Sequence, residues 1–140
     1  MSPRITISLI IARFGWISVG AALACDPCGN TVVSKVPSPD SARHAVIFER
    51  SCGATTGFST QVSVLPSNEL PRATGNVFVA DTDHGHAPPA AWGGPDVSVR
   101  WISPSVLELT YDLRARVFAH VATIDGTTLV YVQRPSASRP

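Results

Sequence analysis

The sequence predicts an all-β domain, either a small antiparallel sandwich or a strongly twisted, partly closed sheet of six to seven strands, behind an N-terminal signal segment. Three observations predict it. Twelve prolines and ten glycines spread through 140 residues leave no room for long helices, because proline removes a helical N–H and glycine loses the most backbone freedom on ordering. Val, Ile and Thr gather in short runs, several of which alternate with polar residues as a half-buried strand does. Turn signals such as Ser38-Pro39-Asp40, Ser103-Pro104-Ser105 and Asp125-Gly126 separate those runs.

Residues 1–24 read as a signal peptide. Arg4 and Arg13 precede an apolar stretch from Phe14 to Leu23, and Ala22 and Ala24 are the small residues that a signal peptidase requires. The uninterrupted run after Arg13 is about half of the ~20 residues that a spanning helix needs, so removal is expected rather than anchoring. Leu23-Ala24-Cys25 resembles the lipobox of bacterial lipoproteins, with Ala22 standing where that motif usually carries leucine. The resemblance implies lipidation of Cys25 and, with Asp26 directly following, retention at the inner membrane of a Gram-negative cell. Ala22-Leu23-Ala24 also fits ordinary secretion.

Beyond the signal, residues 25–37 read as a tether, 38–134 as a single β domain and 135–140 as a disordered tail of Pro, Ser, Ala and Arg. The odd cysteine count fits the lipoprotein reading. If Cys25 carries lipid, Cys28 and Cys52 remain as a pair. A disulfide between them would close a loop of about 25 residues and contribute about 3.5 kcal/mol by restricting the unfolded chain. The competing reading takes Cys25-Asp26-Pro27-Cys28 as a redox pair, but Gly29-Asn30-Thr31-Val32-Val33 does not start the helix that lowers a thiol pKa in such sites.

The strands follow in order. Ala45 to Arg50 begins after the Ser38-Pro39-Asp40-Ser41 turn, and Thr60 to Leu65 alternates, with Val62 and Val64 on one face, until Pro66 ends it. Asn76 to Ala80 is a third run. Val97 to Ile102 and Val106 to Tyr111 are expected to form a hairpin across Ser103-Pro104-Ser105, with Val97, Val99 and Trp101 sharing a buried face with Leu107, Leu109 and Tyr111. Asp125-Gly126 places two residues suited to positive φ where a type I′ turn needs them. His120 to Ile124 is therefore expected to pair with Thr127 to Gln133.

Charge excludes one class of partner. Without Arg4 and Arg13, nine of the eleven basic residues remain against ten acidic ones, so there is no basic footprint for nucleic acid or an anionic membrane surface.

Four groups of residues are candidates for chemistry. Asp81, Asp83, His84 and His86 place two carboxylates and two imidazoles within six residues, a donor set for Zn²⁺ or another divalent metal. The competing reading is a polar surface turn, since Pro88-Pro89 and Gly93-Gly94-Pro95 announce an open loop. Ser51 to Thr60 is rich in glycine and hydroxyls but carries neither a P-loop lysine nor a Gly-x-Ser-x-Gly elbow. His44, His84, His86 and His120, with Ser59 or Ser63, are the raw material of a hydrolase, without a spacing that marks one. Trp92 reads as an exposed anchor or a lid, Trp101 as core, and Arg114 and Arg116 as two cations on one strand face.

Ser38-Pro39-Asp40, Ala45 to Arg50, Cys52 to Ser63, Asn76 to Asp81 and Val99-Arg100-Trp101 together resemble a family of short, uncharacterised bacterial exported proteins. That resemblance implies export and assigns no activity to any residue. Ser38-Pro39-Asp40 before a strand also resembles one blade of a TolB-like propeller, of which a chain this short cannot supply a set. The sequence thus points to a noncatalytic module of the cell envelope, periplasmic or membrane-anchored. It would bind an envelope protein or cell-wall component, hold to the membrane through lipid on Cys25 and need no cofactor. Divalent-metal binding through Asp81, Asp83, His84 and His86 is the alternative, and hydrolysis a third.

Overall fold

The computed structural model describes residues 26–137; the expected signal peptide, Cys25 and the last three residues of the expected tail lie outside them. The described residues are all-β, nine strands in two sheets, five-stranded and four-stranded, that do not close into a barrel. β1 (Gly29–Pro37), β2 (Arg43–Ser51), β3 (Ser59–Pro66), β4 (Phe78–Asp81) and β7 (Arg116–His120) form the first sheet in that order. β5 (Val97–Ser103), β6 (Val106–Asp112), β9 (Thr127–Arg134) and β8 (Thr123–Ile124) form the second. No helix among the described residues is long and apolar enough to cross a membrane.

Between the sheets lie Ala45, Ile47, Val62, Val64, Phe78 and Ala80 from the first, and Val97, Leu107, Leu109 and Leu129 from the second. These occupy alternate positions along their strands, as the two-residue repeat requires. The β5–β6 hairpin has the register that its alternation predicts, with Val97 opposite Tyr111, Val99 opposite Leu109 and Trp101 opposite Leu107. Trp101 also joins the sheets, its indole N–H donating to the Val36 carbonyl at 2.9 Å. At the β8–β9 turn Asp125 and Gly126 have φ of 45° and 76°, the paired positive values of the expected turn.

Three elements differ from the sequence reading. Residues 29–37, expected as tether, form edge strand β1, in which a bulge between Val32 and Ser34 interrupts the ladder to β2. Bulges re-aim a side chain, and Val33 here packs against the core. Only Thr123 and Ile124 of the run 120–124 pair with β9; His120 pairs instead with Phe78 in the other sheet. Alternation decides which face of a strand is buried but not which sheet it joins. β9 runs parallel to β6, because the chain between them visits the first sheet as β7 and then turns back through β8. The expected tail also has a fixed start, where the Ser136 N–H donates to Asp112 at 2.7 Å.

Strand β2 is buried on both faces, with Ala45, Val46 and Phe48 all fully covered. Its inner side chains meet the second sheet. Its outer side is crossed by the connection from β3 to β4, residues 67–77, which is tied at both ends and in the middle. His44 Nε2 donates to the Glu69 carbonyl at 2.7 Å, and the Asn30 amide donates to the carbonyls of Pro71 and Ala73 at 3.1 and 2.9 Å. The Gly75 N–H donates to Gln61 Oε1 at 2.7 Å. A Cβ at Gly75 would stand 2.8 Å from the Val62 carbonyl oxygen, so glycine is what lets the connection lie this close.

Candidate functional site

Two places gather polar groups, and only one was visible in the sequence. Asp81 closes β4, and Asp83, His84 and Gly85 follow with φ of 49°, 57° and 90°. Three successive left-handed residues wind a tight turn, in contrast to the open loop expected, closed by Gly85 and Ala87 N–H donors on the Thr82 carbonyl at 3.1 and 3.0 Å. The Asp83 N–H donates to Asp81 at 2.8 Å.

Arg116, which begins β7 beside β4, holds this turn. Its Nε and Nη2 donate to the two Asp81 oxygens at 3.2 and 2.5 Å, and its Nη1 lies 3.7 Å from Asp83. Its guanidinium also sits 5.0 Å from the centre of the Phe118 ring, within cation–π range. Burial works against ionisation of Asp81, but the guanidinium and the Asp83 N–H outweigh it and hold the carboxyl below its ordinary range. His86 Nδ1 lies 3.0 Å from the other Asp83 oxygen, and His84 is exposed at the tip. Asp81 and Asp83 thus meet on Arg116, and His86 joins them only through Asp83. Among the described residues no three His, Cys, Asp or Glu side chains are gathered as a metal ion would require.

The other candidates from the sequence are scattered. Arg114 does not share a strand face with Arg116: it lies in the turn after β6 and grips the buried Asp112 through Nε and Nη2, at 3.0 and 2.8 Å. His44 is buried under the β3–β4 connection, whereas His120 stacks edge-on against Tyr131 at 5.2 Å on the opposite margin. Ser59 and Ser63 sit in β3, with Ser63 Oγ accepting the Asn76 N–H at 3.2 Å. Trp92 is half-buried, its indole N–H donating to Thr60 Oγ1 at 2.8 Å. Glu49 Oε1 is buried without a hydrogen-bond partner among the described residues.

Cys28 and Cys52 form a disulfide. It extends the β1–β2 ladder by one step beyond the Gly29 and Ser51 pair. Next to it Arg50, itself buried, donates to Asp26 and, at 2.6 Å, to Asn30 Oδ1. Asn30 is the same residue whose amide holds Pro71 and Ala73.

The second place is the cleft that this connection makes with the outer face of β3. It has a volume of about 800 Å³, with Ser63, Leu65 and Asn76 on one side and Leu70, Arg72 and Thr74 on the other. Asn76 extends the sheet edge here: its side-chain oxygen accepts the Val64 N–H at 2.9 Å, and its amide donates to the Val64 carbonyl at 3.0 Å. Arg72 is exposed and has no carboxylate within ion-pair distance among the described residues. Sequence reasoning passed over residues 67–75 because they carry no periodicity. The signal was indirect, in the unbroken apolar run Ala45 to Phe48, which needs cover on both faces.

The chain has no significant match among protein-family models, curated proteins or solved structures.

Proposed function

We propose that this protein is a noncatalytic binding module of the bacterial cell envelope, exported through residues 1–24 and tethered by lipid on Cys25. The observation that supports this most is the pairing of Cys28 with Cys52. Disulfides persist in oxidising compartments, and the pairing leaves Cys25, the third of three cysteines, for other chemistry. The bridge stands at the base of β1, where a tether attached at Cys25 would pull on a covalently closed strand pair instead of peeling an edge strand. The cleft over β3 supplies a surface on which an envelope protein or cell-wall component can be held.

Intact mass of the protein recovered from envelope and soluble fractions, with and without reduction and alkylation, tests the reading. The expected species is envelope-bound, begins at a lipidated Cys25 and contains one oxidised cysteine pair. A soluble chain beginning at unmodified Cys25, or a chain retaining Met1, overturns the tether.

A further inference from the structure

We infer that the pocket between residues 88–96 and the segment at Ser136 and Ala137 takes an arginine side chain of a partner protein, its guanidinium stacked on Trp92 and paired with Asp96. This goes beyond the envelope reading. The pocket shares no lining residue with the cleft over β3. In the sequence Pro88-Pro89 and Gly93-Gly94-Pro95 announce an open loop, but the segment they belong to is fixed. Pro89 and Pro95 form a β-bridge, the Ala90 N–H donates to the Gly94 carbonyl at 2.8 Å, and the Gly93 N–H donates to the Ala90 carbonyl at 3.0 Å. Beneath it the hydroxyl of the fully buried Thr60 donates to the Pro95 carbonyl at 2.6 Å and accepts the Trp92 indole N–H at 2.8 Å. A Cβ at Gly94 would collide with that hydroxyl, so glycine is what lets the loop close on Thr60.

The pocket so formed has a volume of about 310 Å³, room for one side chain or a small ligand. Several donors around it are already spent. Pro88 and Pro89 have no N–H, and the Trp92 indole, Ala90 and Ser136 donate to Thr60, Gly94 and Asp112. With its one polar atom bonded, the indole offers the pocket only π surface. Asp96 is the one charged side chain on the lining, exposed and with no cation within ion-pair distance among the described residues. Arg114 donates to the Ser136 carbonyl at 3.2 Å, but it is held by Asp112 and is not on the lining. Aromatic surface beside an unpaired carboxylate, in a wall short of donors, calls for a ligand that brings positive charge and donors of its own. A guanidinium meets both needs: it stacks flat on an aromatic face and turns a fork of N–H groups to a carboxylate, whereas an ammonium is a strongly hydrated point charge. A sugar, whose hydroxyl oxygens also accept, would find few donors here.

The test titrates N-acetyl-arginine methylamide into the disulfide-intact chain, followed by heteronuclear NMR. The citrulline analogue, which keeps the shape without the charge, the lysine analogue and an N-acetylhexosamine disaccharide are titrated in parallel. The expected result is saturable shifts of the Trp92 indole N–H and the Asp96 amide, with a Kd of about 1–10 mM for the arginine probe and binding about tenfold weaker for the other three. Asp96→Asn should weaken the arginine probe about tenfold. Because Asp96 is exposed and unpaired, D96N should keep the thermal midpoint of the native chain, which separates lost binding from lost structure. Arg139 stands two residues beyond Ala137 in the sequence, and R139Q should bind the probe as the native chain does. No saturable shift at the pocket, equal binding of the citrulline or lysine probe, preference for the disaccharide, or indifference to D96N overturns the inference. Binding that appears only in R139Q also overturns it and assigns the pocket to the chain's own end. Since the measurement is made on purified protein, it can fail while the envelope reading stands, and succeed while that reading falls.

Discussion

At the scale of single residues, the most demanding group is Asp112. Its side chain is fully buried at the end of β6 and accepts hydrogen bonds from the Arg114 side chain, the Arg114 N–H and the Ser136 N–H. The Arg114 guanidinium, offset in part by burial and aided by those N–H groups, holds the carboxyl far below the ordinary value of 3.8. A carboxyl whose folded pKa is depressed contributes stability above its unfolded pKa, and that contribution is lost as pH falls toward the folded value. The domain should therefore lose stability progressively from about pH 5 downward, and Asp112→Asn should flatten that limb of a denaturation curve. Because Arg114 is 37% exposed, solvent screens the pair, and the cost of Asp112→Asn at neutral pH is set at about 2 kcal/mol. Urea unfolding at pH 3 and pH 7 measures both. An unchanged pH dependence in D112N would show that other carboxyls carry the acid limb. Tyr131, pushed up to about 12 chiefly by burial, stays neutral throughout this range.

At the scale of elements, local signals were legible and non-local ones were not. The β5–β6 hairpin and the Asp125-Gly126 turn are specified by neighbours in sequence, so alternation and turn chemistry suffice. The partner of β4 is β7, 35 residues from Asp81 to Arg116, and no period in the sequence marks that distance. The same holds for the candidate site: the Asp81 to His86 cluster was visible, and Arg116 was singled out, but the pairing of Arg116 with Asp81 was not visible. β1 was missed because its half-exposed residues carry a bulge that breaks the alternation. Its attachment is a chain of specific contacts, from the Cys28–Cys52 bridge to Arg50, from Arg50 to Asn30, and from Asn30 to the carbonyls of Pro71 and Ala73. Breaking the bridge should therefore act at a distance. Cys28→Ser with Cys52→Ser should lower stability by about 3 kcal/mol and speed hydrogen exchange in β1 and residues 69–74, leaving β5 and β6 protected as before. Asn30→Ala with the bridge intact should reproduce the faster exchange at 69–74 without the large stability loss. Uniform acceleration across all strands in either variant would mean that β1 and the connection open only with the whole domain.

At the scale of the whole molecule, the decisive question is where the domain begins. The sequence placed its start at residue 38, reading the preceding stretch as tether, whereas the register of β1 on β2 runs back to Gly29 opposite Ser51. Losing β1 would do more than remove an edge. It would leave β2 as an edge strand with an unpaired backbone, remove Val33 from the core and the Val36 acceptor from Trp101, and abolish the disulfide. The β3–β4 connection would also lose its Asn30 anchor, uncovering Val46 and Phe48. Fully exposing one large apolar side chain costs about 1.5–3 kcal/mol, the bridge about 3 kcal/mol, and a domain of this size has about 5–15 kcal/mol in total. A chain shortened to begin at Ser38 is thus expected to be unfolded or aggregated at 25 °C, while one beginning at Asp26 folds cooperatively. Amide dispersion in a heteronuclear NMR spectrum and a thermal melt of the two chains distinguish them. If the chain from Ser38 gave a dispersed spectrum and a melt within a few degrees of the longer one, β1 would be an appendage of the sandwich, and a pull on Cys25 could peel it away without unfolding the rest.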